Sequence, residues 1–283
     1  MNPRAHPLRS DAPREQGFSL VELAMVLLAV GLLAALFLPA TNTMMDNNRR
    51  NETRAKLEAL ESAISRFVMT TKRLPCPADG SLAPGNANQG LELAAAGACT
   101  ADALTKGVVP WRTLAIAQTE AMDAWGNLVT YRVWGGAGVT HSLTVANGMD
   151  MSAFDPATAG TVSGWLINRG FRACNTSPCA VSSAAELASK TSGNGVAYFL
   201  ISHGANKFGA YNPAGTWVAT ANGPGPGVRE NINRNNLALR TTSPDDFYID
   251  ADLSENTTTY YDDIVLRPTV IKVALDAGLG PRP

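Results

Sequence analysis

The residues of this 283-residue chain whose types could do chemistry are three histidines, four cysteines, an acidic stretch near the C-terminus and one glutamate inside an apolar run. His6, His141 and His203 have no metal-ligand spacing among them, and no cysteine stands beside a histidine as a zinc site requires. His203, in Ser202-His203-Gly204 after an apolar run, lacks an accompanying nucleophile-elbow sequence and reads as a turn residue. Cys174 and Cys179 are spaced too widely for a Cys-x-x-Cys redox pair and read as a small structural disulfide ring. Cys76 and Cys99 bracket a loop whose closure would contribute about 3 kcal/mol in the chain-entropy picture, although four cysteines allow three pairings. The Gly223 to Gly227 run, alternating with proline, is a loop and not a phosphate cradle, because no strand-turn-helix frame surrounds it. No nucleophile, base and oxyanion set can be assembled, so an enzyme is not expected.

The elements that position these residues begin with the apolar run. From Phe18 to Leu38 only Ser19 and Glu22 are polar, and the stretch is long enough to cross a bilayer core at about 1.5 Å per residue. The preceding segment carries Arg4, Arg9 and Arg14 against Asp11 and Glu15, a mildly positive flank that favours a cytoplasmic N-terminus. An ordinary secretory signal would have a shorter core and a better cleavage site than Pro39-Ala40-Thr41. A plain single-span anchor leaves Glu22 unexplained, since an ionisable group within a span costs a few kcal/mol and marks a functional site by default. Charged residues make up 17% of the chain and the net charge is −1, so no electrostatic surface for nucleic acid is expected. The even cysteine count suits an oxidising compartment.

Gly17 followed by Phe18-Ser19-Leu20-Val21-Glu22-Leu23 resembles the processing site of type IV prepilins and type II secretion pseudopilins. The resemblance implies cleavage after Gly17 by a prepilin peptidase that also N-methylates Phe18. It implies that Glu22 meets the Phe18 amine of a neighbouring subunit, each charge neutralising the other within an apolar bundle. Gly31 and Pro39 stand where such helices bend or loosen on assembly. The expected organisation is a leader over 1–17, a membrane and polymerisation helix over 18–38, an amphipathic helix over 39–72, and a head over 73–283.

Within 39–72, Leu57, Leu60, Ile64, Phe67 and Val68 recur at helical steps, with Arg54, Lys56, Glu58, Glu61 and Arg66 on the other side. Leu74-Pro75-Cys76-Pro77 ends that helix, and a Gly-, Ala- and Asn-rich loop to about Gly107 follows. Val108 through Ala117 reads as a short strand or turn with a helical piece. Strands are expected over 128–134, 195–202 and 263–267 from their β-branched and aromatic content. Trp125, in Asp123-Ala124-Trp125-Gly126-Asn127, reads as a core anchor at a turn, and the motif is similar to one in pseudopilins. The fold implied is α+β: one long helix packed on a small antiparallel sheet, with an insertion around 135–194 where subunit-specific function would sit.

The function implied is a structural subunit, a minor pilin or pseudopilin of a pilus or of a type II secretion pseudopilus. Its partners would be other subunits, the peptidase and the inner membrane, with the head in the periplasm or at the cell surface after assembly. The alternative is a membrane-tethered or filament-tip adhesin whose exposed aromatics, Trp165 and Trp217, engage a ligand. Calcium is the one cofactor considered: major pseudopilins hold it just before their last strand, where Asp250, Asp252, Asp262 and Asp263 gather here as hard oxygen donors.

Overall fold

The structure is a computed structural model that describes residues 19–95, 98–100, 104, 106–135, 141–151, 161–179, 183–221, 223, 225, 227–235 and 247–281, with backbone only for 35–42, 95 and 161–163. The processing residues Gly17 and Phe18 lie outside the described residues. The chain divides into two units, Met1–Asn47 and Asn48–Pro283.

The first unit contains the start of helix α1, Leu20–Thr71. Ser19 caps it: its Oγ accepts from the Glu22 N–H at 3.2 Å, filling one of the donors a helix N-terminus leaves open. Every described side chain from Ser19 to Ala34 is exposed, Leu20 at 84%. Among the described residues no helix is both long and apolar enough to cross a membrane. Those apolar side chains end at Ala34, and the run continues in the sequence through Leu38.

The second unit opens with the rest of α1, where Leu57, Leu60, Ile64 and Val68 of the expected stripe are at most 1% exposed, Phe67 is half-buried, and Ala63 joins them at 3%. The helix stops where Lys72 turns to a positive φ of 57°, three residues ahead of Pro75, and the Lys72 N–H still reaches the Val68 carbonyl at 2.8 Å.

Among the described residues ten strands follow: β1 Ala78–Asp79, β2 Ala94–Ala95, β3 Ala98–Cys99, β4 Gly107–Val108, β5 Thr130–Val133, β6 Arg172–Cys174, β7 Glu186–Ala188, β8 Tyr198–Ser202, β9 Phe247–Ile249 and β10 Ile264–Leu266. The described residues also form α2 Thr161–Leu166, α3 Val228–Asn235, α4 Val270–Asp276 and a short 3-10 helix, Gln118–Ala121. The main sheet has the order β1-β4-β5-β8-β10 and is antiparallel throughout. All five residues of β8 are buried, as its near-continuous apolar sequence requires of a central strand. Tyr198 and Leu200 share one face of β8, and Phe199 points to the other. On that other face Phe199 meets Phe171 and Tyr248, at 5.7 and 4.6 Å between ring centroids. Tyr248 belongs to a second sheet, β7-β6-β9, in which β6 and β9 run parallel. The disulfides are Cys76–Cys99 and Cys174–Cys179.

The architecture is therefore α+β with an antiparallel sheet, as expected, but several expectations change. Among the described residues five strands, not three, form the main sheet: β4 lies at the start of the segment from Val108 read as a short strand or turn, and the two-residue β1 carries too little pattern to read. The stretch after Pro77 is not an uninterrupted loop; β1, β2 and β3 break it. The region around 135–194 is not an appended insertion. Its Leu143, Met149, Met151, Trp165 and Phe171 belong to the main core, and β6 pairs with the later β9. Trp165, expected to be exposed, is 5% exposed, with Arg169 stacked over its ring at 4.2 Å.

Candidate functional site

On α1, Glu22 is the one ionisable residue among the exposed apolar side chains from Leu20 to Ala34. A methyl group added at Gly31 would meet nothing within 4 Å, so this glycine leaves the helix surface open without being required by packing. Pro39 lies within the helical backbone, and its side chain lies outside the described residues.

In the second unit, polar groups that stand apart in the sequence converge inside the core. Asp123, at the start of the Trp125 turn, is 3% exposed. Its Oδ1 accepts from the Trp125 and Asn127 N–H groups, and its Oδ2 from the Ser202 hydroxyl at 2.8 Å. Burial raises its pKa, and these hydrogen bonds oppose the shift. The Asp-x-Trp-Gly-Asn turn is thus tied to the end of β8. Trp125 itself is half-buried against the core.

One residue further along, His203 Nε2 lies 3.0 Å from the Thr130 hydroxyl and Nδ1 lies 3.4 Å from Asp263 Oδ1. A hydroxyl, imidazole and carboxylate in a row resemble a catalytic relay, but Thr130, His203 and Asp263 are 1%, 2% and 4% exposed. A hydroxyl that no substrate reaches cannot act as a nucleophile, and the row reads as internal support. His203 does begin a turn, as expected, but holds it from within the core rather than from the surface.

The densest cluster lies next to it. Glu230 on α3, with Asp262 and Asp263 just before β10, brings one carboxylate oxygen each to within 4.8 Å of the others, all three residues being buried. Glu230 accepts from the Asp262 N–H at 3.0 Å and from Asn206 Nδ2 at 2.8 Å. Asp262 Oδ2 accepts from the N–H groups of Ala205 and Asn206 and from the Tyr260 hydroxyl. Asp263 Oδ2 accepts from Asn233 Nδ2, which also reaches the Ile249 carbonyl. Gly204, at φ +56°, lets the turn approach this closely: a Cβ there would lie 2.5 Å from the Asp262 carboxyl carbon. From α1, Arg50 points its guanidinium at the Asp262 carbonyl, 3.4 Å away. Burial foremost, then the charge of Asp263, pushes the Glu230 carboxyl up to about 9. Burial likewise raises Asp262 and lowers Arg50.

The calcium set expected from the sequence is not assembled. Asp250 turns to Arg267, with 2.6 Å between Oδ2 and Nε. Neither Asp250 nor the exposed Asp252 joins the cluster with Asp262 and Asp263, the one group of three or more such side chains among the described residues. Only two carboxylate oxygens of that cluster are without a hydrogen-bond partner, Asp262 Oδ1 and Asp263 Oδ1, against the roughly six to eight oxygen ligands calcium takes. Glu230 was not foreseen because the acidic run from Asp250 to Asp263 begins twenty residues later.

The second aromatic proposed to meet a ligand, Trp217, is 39% exposed and stacks on Arg234, which also lies over Phe208. Compared with known proteins, the chain is matched by no family model, no curated protein and no solved structure.

Proposed function

We propose that the chain is a filament-forming structural subunit, a minor pilin or pseudopilin of a type IV pilus or a type II secretion pseudopilus. It is cleaved after Gly17 by prepilin peptidase, held in the inner membrane by its apolar helix with the head in the periplasm, and assembled with other subunits through that helix. The observation that carries the reading is Glu22, one carboxylate on an otherwise apolar and exposed helix surface whose first turn Ser19 caps. A buried-in-assembly carboxylate needs an opposing charge, and a freed Phe18 amine of a neighbouring subunit supplies one. The amphipathic second part of α1, buried in one core with an antiparallel sheet, supports the pilin-like form of the fold. The reading assigns the chain no turnover.

The test is Glu22→Ala in the host cell. The variant is expected to be cleaved and to keep a normally melting head while its incorporation into sheared filaments falls at least tenfold. Undiminished incorporation would remove the proposal. The alternative, a tethered binding module, now rests on Trp217 with Arg234, since Trp165 is buried. It predicts that Glu22→Ala leaves function intact and Trp217→Ala abolishes ligand binding.

A further inference from the structure

We propose that Glu230, Asp262 and Asp263 form a proton-held clasp in which one proton shared between Glu230 and Asp262 fastens α3 to the start of β10, and whose loss at alkaline pH loosens that half of the head. The clasp is independent of the filament reading, because every group in it lies in the second unit.

Its geometry demands a compensating charge. Three carboxyl groups lie within 4.8 Å of one another in the interior, and three bare charges at that spacing repel strongly where little water screens them. The groups facing the cluster do not balance them. From α1, Arg50 donates to the Asp262 carbonyl and its charge is favoured first by Asp262 and more weakly by Glu255, with Arg54 opposing it, so it offsets at most one of the three charges. From the turn after β8, His203 stands 3.4 Å from Asp263 and is bound on its other nitrogen to Thr130, and Asp123 lies within its electrostatic reach. On α3, Arg234 is directed to Phe208 and Trp217. From the segment just before β10, the hydroxyl of Tyr260 donates to Asp262 and that of Tyr261 to the Ile249 carbonyl, neither contributing a positive charge. Asp250, which adds to the negative field around Tyr261, is held by Arg267.

A proton resolves both the charge and the hydrogen bonding. Asp262 Oδ2 is fully engaged by three donors, whereas Oδ1 has none. A protonated Glu230 becomes a donor, so two carboxyl groups that could only repel form a carboxyl–carboxylate hydrogen bond. The contact between them favours the proton on Glu230 and the charge on Asp262.

The direction of the pH dependence follows. Glu230 titrates near 9 in the fold and near the ordinary carboxylate value when unfolded, so between those values the folded state binds the extra proton. The contribution is present in full below the unfolded value and is lost as pH rises through about 9.

The test is thermal unfolding of the full-length chain in detergent micelles between about pH 6 and about pH 9.5, for the native protein and for Glu230→Gln. The native melting temperature is expected to fall by about 5 °C or more over that range, and the slope to disappear in the permanently neutral variant. An equal slope in both proteins overturns the proposal. So does calcium chloride that raises the native melting temperature at pH 7.5 and is reversed by chelator, which would assign the cluster a cation instead. If Glu230→Gln does not fold, infrared spectroscopy of the native protein decides. A carboxylic-acid C=O band present at pH 7.5 and lost near pH 10 supports the clasp, and its absence at pH 7.5 refutes it.

Discussion

Gly204 and Arg172 show how much single residues decide here. The left-handed turn at Gly204 brings the Ala205 and Asn206 N–H groups onto Asp262, and any Cβ at this position would collide with that carboxylate. Gly204→Ala is expected to destabilise the head by about 1–3 kcal/mol, read as a lower midpoint in urea unfolding with an unchanged slope. Arg172 is 2% exposed and is bound by Glu186 at 2.8 Å and by the Cys179 carbonyl at 3.0 Å. Glu186→Ala removes one partner of a buried guanidinium and is expected to lower the unfolding midpoint in the same measurement, by about 1–3 kcal/mol. Neither role is visible from residue type. An arginine in the sequence suggests surface, and only the pairing of β6 with β7 shows that this one is interior.

At the scale of elements, the second part of α1 was legible because its buried residues are apolar and recur at helical steps. Ile64 is fully buried and Leu60 1% exposed. Ile64→Ala is expected to cost about 2–5 kcal/mol, as large-to-small changes in a packed core do, whereas the exposed Glu58→Ala should change the melting temperature by little. β5, β8 and β10 were legible for a similar reason: their apolar and β-branched residues form a pattern. α3 was not, because the face it buries is polar. Glu230 and Asn233 are both fully buried, so the helix has amphipathic form with the wrong chemistry inside for hydrophobic periodicity to find. α4 carries the ordinary signal, with Thr269 as its cap and Val270, Val273 and Ala274 buried, but over two turns only, too short to stand out from the loops around it.

For the whole molecule, the Cys76–Cys99 bond ties the end of α1 to the hairpin formed by β2 and β3. It closes a sequence separation of 23 residues, and the double change to Ala is expected to lower stability by about 3 kcal/mol, checked by comparing the melting of the variant with that of the native protein. The sequence by itself determined the apolar run with its single glutamate, the amphipathic helix that follows, the α+β class, the central strands and the disulfide-forming cysteines. Each is a local pattern: a run, a period or a spacing along the chain. Only the tertiary structure decided that Glu230 rather than Asp250 and Asp252 joins Asp262 and Asp263, that His203 is interior, and that the region after Gly135 helps to build the core. Those outcomes depend on residues far apart in sequence meeting in a low-dielectric interior. There a carboxylate's partners and its proton are set by neighbours that no local pattern contains.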